Sequence, residues 1–398
     1  MAKEDLFNLL TIKDGVLTSK KDFDLVIPSY VTKIDDRVFR NSNIKSVVIP
    51  DSVTEIGLGA FESCHGLSGK LNIPDSVTVI GKRAFYACSA IAAVSIGHSV
   101  TKIGENAFGF CHRLSGELKI PKSVKEIGIA AFSHCEELAS VIIPDSVTKI
   151  GNATFRGCRG LTSVVIPDSV TEIGNGAFSD CRGLTSVVIP NSVTEIGDFV
   201  FEGCCGLTTI VIPDSVTKIG DSAFAGCGEL KYVVIPDSVK IIGYTAFYGC
   251  RSLTSVTIPK SVTSIGESAF QSRGLTTITV SQGNSIYDSR DNCNAIIETA
   301  TNKLICGCQN TIIPDSVTEI GNGAFNGCTS LTSIVIPDSV KKISAGAFSG
   351  CTGLTSINIP DSVPSIDDGA FYGCDNLPME TMDDIREINK NEFEWLDY

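Results

Sequence analysis

The sequence predicts an α/β solenoid, a single array of roughly 15 similar rungs, in place of the two or three globular domains that 398 residues would otherwise suggest. Three observations predict this fold. A phenylalanine recurs every 23 residues from Phe132 to Phe270, a cysteine follows most such phenylalanines by three residues, and the string IPDSVTEIGNGAF stands at both Ile166 and Ile313. A fixed period of this length indicates stacked repeats that bury their apolar faces against their neighbours.

Each repeat opens with a predicted β-strand. In the unit 161–184, LTSVVIPDSVTEIGNGAFSDCRGL, the residues Leu161, Val164 and Ile166 have the spacing that points one face of a strand inward. Pro167 cannot donate a hydrogen bond to a sheet, so it should end the strand, and the Asp-Ser pair after it supplies acceptors for a turn.

The second half of the repeat is expected to cross the far side of the rung and return. Gly174 should allow a bend. Ala177, Phe178 and Cys181 have the spacing of one short helical turn whose apolar side faces the core, and Gly183 should end this turn in a left-handed conformation. The predicted back side is therefore short helical and extended.

A period of 20 to 29 residues with an L-x-x-V-x-I core is typical of leucine-rich repeats. The unit LxSVxIPxSVTxIGxxAFxGC, repeated over residues 23–375, resembles the BspA-like leucine-rich repeat family. This resemblance implies a right-handed superhelix with a parallel concave β-sheet. It also implies a non-catalytic, adhesin-like role in binding a protein partner, and relatives that are often surface-exposed or secreted.

Three regions are predicted along the chain. Residues 1–22 should form an N-terminal cap with an amphipathic start and a hairpin about Asp14-Gly15, residues 23–375 the solenoid, and residues 376–398 an acidic tail or cap. Within the solenoid the unit at about 281–313 is irregular. Its AIIET and KLICG runs flank the turn-prone TATN, which predicts a β-hairpin that replaces the back side of one repeat. This unit is interpreted either as a structural break or as a specific docking site.

Cysteine is abundant, yet its spacing predicts buried thiols. One cysteine per rung at one position is typical of a small core residue, whereas a disulfide framework would show paired spacings. A reducing or anaerobic setting follows. Four cysteines lie off the ladder, among them Cys293, Cys306 and Cys308, which lack a CxxC pair and a nearby histidine, so no metal site is predicted. The ladder consists of Cys64, Cys88, Cys111, Cys135, Cys158, Cys181, Cys204, Cys227, Cys250, Cys328, Cys351 and Cys374.

No catalytic residue and no cofactor is predicted. His65 and His112 occupy the same place in units two rungs apart, about 10 Å from each other, which is too far to share a zinc ion. The repeated serines and aspartates form a pattern, whereas a catalytic residue should interrupt one. The chain also lacks a nucleophile elbow, a phosphate-binding loop and an HExxH motif.

Charge and hydropathy restrict the partners. A formal net charge of −13 disfavours nucleic acid and anionic membrane surfaces. Alternating charges such as Lys149 and Glu172 should form cross-rung pairs on the solvent-facing back. No apolar run has the length of a signal peptide or a transmembrane helix, which predicts no membrane insertion and a cytoplasmic location for the chain as written. Exposure at the cell surface or secretion is the alternative if a signal was removed.

Two strand positions per repeat should point away from the core. The first carries small hydroxylated residues, interrupted by a tyrosine, and the second carries β-branched residues that a soluble monomer seldom leaves bare. Either β-propensity alone explains the second row, or the row binds a partner, self-association included. The remaining function classes are a protein-binding module, a structural or self-assembling rod and, least supported, an enzyme. The predicted partner-binding residues are Ile142, Val165, Val188, Val211, Tyr232 and Val234.

Overall fold

The computed structural model describes residues 11–13, 16–18 and 22–393. The chain divides into two compact units, Met1–Leu207 and Thr208–Tyr398. Each unit stacks short parallel β-strands in successive turns, and the two together contain about 15 turns with little helix. The predicted solenoid fold is therefore confirmed.

Each turn of the first unit contributes strands to two rows. The long-strand row carries the L-x-x-V-x-I segment, and the short-strand row carries the charged residue and isoleucine that precede the glycine. The long strands are β3 (Phe23–Val26), β5 (Ile44–Val48), β7 (Gly69–Asn72), β9 (Ile91–Ser95), β11 (Gly116–Lys119), β13 (Leu138–Ile142), β15 (Ser163–Val165) and β17 (Ser186–Val188). The short strands are β4 (Lys33–Ile34), β6 (Glu55–Ile56), β8 (Val79–Ile80), β10 (Lys102–Ile103), β12 (Glu126–Ile127), β14 (Lys149–Ile150), β16 (Glu172–Ile173) and β18 (Glu195–Ile196).

The second unit repeats the two rows. Its long strands are β19 (Thr209–Val211), β22 (Ser255–Ile258), β24 (Thr277–Val280), β29 (Ser333–Val335) and β31 (Ser356–Asn358). Its short strands are β20 (Lys218–Ile219), β21 (Ile241–Ile242), β23 (Ser264–Ile265), β28 (Glu319–Ile320), β30 (Lys342–Ile343) and β32 (Ser365–Ile366). Three further strands belong to the irregular segment: β25 (Tyr287–Asp288), β26 (Ala295–Glu298) and β27 (Lys303–Gly307).

The corner after each short strand is a series of β-turns, so the predicted helical turn at Ala177–Cys181 is wrong. Ala177 N–H donates to Gly174 O and Cys181 N–H to Phe178 O, whereas the intervening Phe178 N–H donates to Val200 O of the next turn. Local and inter-turn bonds thus alternate along the backbone. Gly176 and Asp180 have φ angles of 62° and 58°, which a right-handed helix excludes.

Gly183 does not adopt the predicted left-handed conformation that would end a helical turn. It lies outside the positive-φ region, and a Cβ atom there would stand 2.7 Å from the Arg159 carbonyl oxygen of the preceding turn. At Gly174 a Cβ atom would stand 2.6 Å from the Asn152 backbone nitrogen. Both glycines are therefore required because successive turns approach each other closely.

Two ladders fill the core. Phenylalanine rings stack face to face between neighbouring turns, with centroids 5.1 Å apart at Phe61–Phe85 and 5.8 Å apart at Phe132–Phe155. The ladder cysteines lie beside them and are buried, as predicted, and all 16 cysteines are free thiols. A ladder sulfur such as Cys181 Sγ donates to the Phe155 carbonyl oxygen at 3.2 Å. These contacts bury one aromatic ring and one thiol in most turns.

The irregular segment of the second unit contains an antiparallel hairpin. Strand β26 pairs with β27, with Glu298 opposite Lys303, and β27 pairs in parallel with β28, with Leu304 opposite Ile320. The second strand of the hairpin therefore takes a place in the short-strand row. At Gly307 a Cβ atom would lie 2.2 Å from the Phe325 ring, so the glycine backbone packs directly against the ladder.

The two ends differ from the repeats. At the start, β1 (Thr11–Lys13) pairs antiparallel with β2 (Val16–Thr18). The predicted turn residues Asp14 and Gly15, and the predicted amphipathic start, lie outside the described residues. At the end, helix α1 (Met379–Phe393) buries Ile385 in the same cluster as Ile366 and Leu377. None of the helices in the described part of the chain has the length and apolar character needed to cross a membrane.

Candidate functional site

The outward face of the long-strand row carries the predicted binding residues. In the first unit, Val164 is buried between the exposed Ser163 and Val165, as the alternation of a strand requires. Strand register places Ile142 opposite Val165, and Val165 opposite Val188. These three side chains are 45%, 73% and 68% exposed, so they form one apolar row in contact with solvent.

In the second unit, Val211, Tyr232 and Val234 are 66%, 55% and 71% exposed. Tyr232 pairs with Thr209 through an isolated parallel bridge, which places its ring on the outward side of the row. A partner that approaches this segment would meet two aliphatic side chains and an aromatic ring. All six predicted residues are thus accessible to a partner.

Further exposed apolar residues occupy the same repeat position. Val26 and Val48 are each 57% exposed and lie opposite each other, and Val335 is 70% exposed. The sequence signal for them is the residue before an Ile-Pro pair, which is Val48 in SVVIP, Val335 in SIVIP and Val26 in DLVIP. In the first unit the polar residues Asn72 and Lys119 occupy this position between the two apolar segments.

Hydroxyl groups line the apolar row of the first unit. Ser140 lies opposite Ser163, and Ser163 lies opposite Ser186. These small side chains leave the sheet open to close approach by a partner. The row thus combines adjacent β-branched side chains with short hydrogen-bonding groups.

The short-strand row presents charge instead. Lys33 pairs with Glu55 at 3.0 Å, Lys102 with Glu126 at 3.0 Å, and Lys149 Nζ with Glu172 Oε1 at 2.6 Å. The predicted cross-rung ion pairs are confirmed. Because these side chains are about half exposed, solvent screening keeps the contribution of each pair to stability small.

The repeated serines of the IPxSV segments, in which x is most often aspartate, have a structural role. Ser169 Oγ donates to the Val147 carbonyl oxygen of the preceding turn at 2.7 Å, and Ser123 Oγ donates in the same way to the Val100 carbonyl oxygen at 2.7 Å. In many turns a serine hydroxyl donates to a carbonyl oxygen of the preceding turn, and these bonds tie successive turns together. This structural hydrogen bond explains why the serine recurs, and no catalytic role as a nucleophile is needed to explain it.

Burial makes most of the ladder thiols poor nucleophiles and poor metal ligands. Burial raises the pKa of Cys111, Cys158 and Cys250 to about 12 each, because the low-dielectric core disfavours the thiolate. Off the ladder, burial raises the pKa of Cys293 to about 11. Over the described residues, no group of three or more His, Cys, Asp or Glu side chains has an arrangement that could hold a metal ion.

Histidines in the first unit lie at its surface. His112 Nδ1 stands 3.6 Å from a Glu136 carboxylate oxygen, and the His134 ring stacks on Phe110 with centroids 4.5 Å apart. Desolvation lowers the pKa of His134, and the positive charge of Arg156 lowers it further. These contacts are typical of a surface polar cluster.

A cavity of about 190 Å³ opens beside the hairpin of the second unit. Its wall includes Glu298, Lys303 and Tyr287. Lys303 Nζ is bound to Glu319 at 2.7 Å, and the Tyr287 hydroxyl accepts a hydrogen bond from Ile265 N–H at 3.1 Å. These polar groups therefore fix the hairpin to its neighbouring turns.

Comparisons with known proteins agree with this geometry. A family model described as the BspA type leucine rich repeat region matches residues 11–116, 115–231, 217–305 and 295–395. A leucine-rich repeat protein from Bacteroides ovatus ATCC 8483 has 30% sequence identity and a TM-score of 0.64, over 92% of this chain and 90% of that chain. A leucine rich cell surface protein from Faecalibacterium prausnitzii A2-165 has 29% identity and a TM-score of 0.51, over 93% and 91%. No curated protein matches the chain significantly.

Proposed function

Because the chain belongs to the BspA-type leucine-rich repeat family, we propose that it is a non-catalytic, adhesin-like module that binds a protein partner through its long-strand row. The binding residues are Ile142, Val165 and Val188 in the first unit and Val211, Tyr232 and Val234 in the second. This face is the one that the family resemblance implies to be concave.

The observation that supports this proposal is the exposure of adjacent β-branched side chains in a folded, negatively charged chain. Val165 and Val188 lie opposite each other and are 73% and 68% exposed. Contiguous exposed apolar surface of this kind marks interaction sites in soluble proteins. Tyr232 adds an aromatic side chain, a residue type that often contributes a large share of binding energy.

A structural or self-assembling rod is the second candidate. The same apolar row supports it, because a surface that attracts a partner of similar character also attracts another copy of the chain. Multi-angle light scattering of the purified chain over a concentration series separates the two candidates. A constant monomer mass supports binding of another protein, whereas a mass that rises with concentration supports assembly.

The proposal excludes an enzymatic role for the repeats. The Ser169 hydroxyl donates to a backbone carbonyl, and burial raises the pKa of ladder thiols such as Cys158 far above neutral pH. Neither group is available as a nucleophile. We also propose that residues 1–22 and 376–398 cap the repeat array 23–375, and that the irregular unit at about 281–313 is a structural break.

An adhesin-like role requires export, which makes exposure at the cell surface the location that accompanies this proposal. The similarity to a leucine rich cell surface protein supports it. The alternative is a cytoplasmic binding module. Protease shaving of intact source cells tests the location: loss of the intact chain with cytoplasmic markers retained indicates surface exposure, and full protection indicates the cytoplasm.

The binding surface is tested with substitutions that keep the fold. Val165, Val188 and Val211 are changed together to threonine, which retains β-branching and shape, and the melting temperature should change little. Adding Tyr232→Ala should abolish partner capture or self-association, with about 2 kcal/mol or more lost from the tyrosine alone. Capture is measured with the full chain immobilised, and self-association by light scattering.

Two control variants accompany this experiment. Val26→Thr with Val48→Thr makes the same chemical change at the same repeat position outside the proposed surface. Glu172→Lys with Glu195→Lys alters the short-strand row. Both should bind as the parent does. The variant that combines the three valine substitutions with Tyr232→Ala is compared with the Glu172 and Glu195 control. If the former binds normally while the control fails to bind, the charged short-strand row is the recognition surface and the assignment is wrong.

A further inference from the structure

After the last turn of the second unit, a proline and helix α1 stand where another long strand would otherwise begin. Cys374 and Leu377 repeat the pattern of Cys351 and Leu354, and Leu377 N–H donates to Cys374 O at 3.1 Å as Leu354 N–H does to Cys351 O at 3.0 Å. The next residue is Pro378, in the position of Thr355. Proline has no N–H and begins a helix well, so helix α1 starts here and no further long strand forms.

Strand β31 therefore has a free edge within the described part of the chain. On the side of the preceding turn, Asn358 O accepts a hydrogen bond from Ile336 N–H at 3.3 Å. Ile359 is the equivalent of Ile336 one turn later, and its N–H faces the position that a following strand would occupy. A free edge of this kind is a template for an added strand.

Helix α1 covers the short-strand side of this turn and leaves a groove of about 620 Å³ next to β31. Ile357 and Ile359 line the groove and are only half-buried, whereas their counterparts Ile334 and Ile336 are 5% and 1% exposed. Ile388 of the helix lines the opposite side. The groove thus exposes apolar side chains that other turns bury.

Three carboxylates line the rim of the groove: Asp361 from the turn, and Asp384 and Glu387 from the helix. Neither lysine nor arginine occurs among the described lining residues. A second copy of this chain, with a net charge of −13, is disfavoured as an occupant, as are residues 394–398, which carry Glu394 and Asp397. Charge complementarity favours a basic partner.

We propose that this groove binds an extended basic peptide segment of a partner protein, which adds to the free edge of β31 as a further strand. Alternate apolar side chains of the peptide lie against Ile357 and Ile359, and its basic side chains face Asp361, Asp384 and Glu387. The backbone of the peptide pairs with the edge, starting with Ile359 N–H. This site is separate from the exposed row proposed above as the partner-binding surface.

The probe is an acetylated and amidated peptide of about seven residues that alternates lysine with valine or isoleucine. Its binding to the full chain is measured by fluorescence anisotropy at low and physiological salt. A matched peptide with alternate backbone nitrogens methylated keeps the side chains and loses the edge hydrogen bonds. Binding of the first peptide and at least tenfold weaker binding of the methylated one support strand addition. Equal binding of both would overturn it and indicate charge attraction alone.

Protein variants locate the site. Asp361→Asn, Asp384→Asn and Glu387→Gln together should weaken binding of the peptide about tenfold, as expected for three exposed charge pairs. The matched control removes three equally exposed carboxylates of other turns, Asp214→Asn, Asp315→Asn and Asp338→Asn, and should leave binding unchanged. Equal weakening by both variants would overturn the assignment.

The same peptide and variants also test two other occupants of the groove, the C-terminal residues of the chain itself and a second copy of the chain. If removal of residues 394–398 strengthens peptide binding about tenfold, the tail of the chain itself occupies the groove and the proposal is overturned. A dimer that dissociates in the Asp361, Asp384 and Glu387 variant would assign the groove to a second copy, which also overturns it. The Val165, Val188 and Val211 variant should bind the peptide as the parent does, so failure of the proposed function and failure of this inference remain distinguishable.

Discussion

Replacement of Phe178 by alanine tests how far stability is shared between turns. The Phe178 ring has no exposed surface, and its centroid lies 5.6 Å from that of Phe155 and 5.7 Å from that of Phe201. Deletion of a buried phenylalanine costs about 3–5 kcal/mol of unfolding free energy. Because each turn contacts only its neighbours, this cost should be confined to a few turns.

Native-state hydrogen exchange measures the extent of the damage. Phe155 N–H donates to Ala177 O at 2.8 Å and Phe178 N–H donates to Val200 O at 3.0 Å, so both amides report on the affected turns. A loss of 3–5 kcal/mol in the free energy of local opening should accelerate their exchange roughly 100- to 5,000-fold. Amides of residues 56–108 should keep their protection.

Phe199→Ala is the matched control. It removes the same ring from a neighbouring turn, but the Phe199 side chain is 42% exposed, so exchange should change little. Uniform acceleration across residues 23–207 in the Phe178 variant would refute the nearest-neighbour reasoning, since it would mean that the first unit unfolds as one cooperative body. Unchanged exchange at residues 155–205 would refute the contribution assigned to the buried ring.

Three further predictions concern the thiols, the ion pairs and the close contacts between turns. In denaturant without reductant the chain should present 16 reactive thiols, whereas the native chain should react rapidly at the exposed Cys205 alone; a lower count in denaturant would reveal disulfides. Glu172→Lys should place like charges opposite each other and lower the unfolding free energy by up to about 1 kcal/mol in urea titrations. Adding Lys149→Glu should restore the loss, and a double variant as unstable as the single one would contradict the pairing. Gly183→Ala should cost about 1–3 kcal/mol because its Cβ meets a backbone oxygen, whereas Gly228→Ala, with no atom within 4 Å, should keep the parent melting temperature; equal losses would contradict the steric argument.

The sequence was sufficient to predict the solenoid and its exposed row. Alternation within TSVVIP distinguishes the buried Val164 from the exposed Val165, since a strand has only two faces. The recurrence of Phe178 and Cys181 at one position per repeat predicts ladders because every turn places equivalent residues at equivalent points. Both inferences use local geometry and the period alone.

The corner of each turn was not predictable in the same way. Ala177, Phe178 and Cys181 have a spacing that fits a helical turn and a series of β-turns equally well, and inter-turn hydrogen bonds decide between them. Asp180 adopts a left-handed conformation without being a glycine, so its residue type gives little warning. The role of Gly183 depends on a carbonyl of the preceding turn, which no local pattern encodes.

The groove beside β31 was also beyond the sequence. Its existence depends on where helix α1 packs, which the acidic segment 376–398 leaves undecided between a tail and a cap. Pro378 is the one local signal, because a proline at the position of Thr355 prevents another long strand. Burial of Ile385 places the helix against the short-strand side and leaves the long-strand edge uncovered.

The equivalence of hydrogen bonds between turns has a consequence for how such a gene changes over generations. Phe155 N–H to Ala177 O and Phe178 N–H to Val200 O are the same bond one period apart. A recombination event that adds or removes one whole period joins donors to equivalent acceptors and leaves the backbone fully bonded. Array length is thus free to drift in whole turns while surface chemistry changes by point mutation. The segment 295–307 has no similar neighbour with which to recombine, so it should persist as a fixed landmark while the copies around it multiply or disappear.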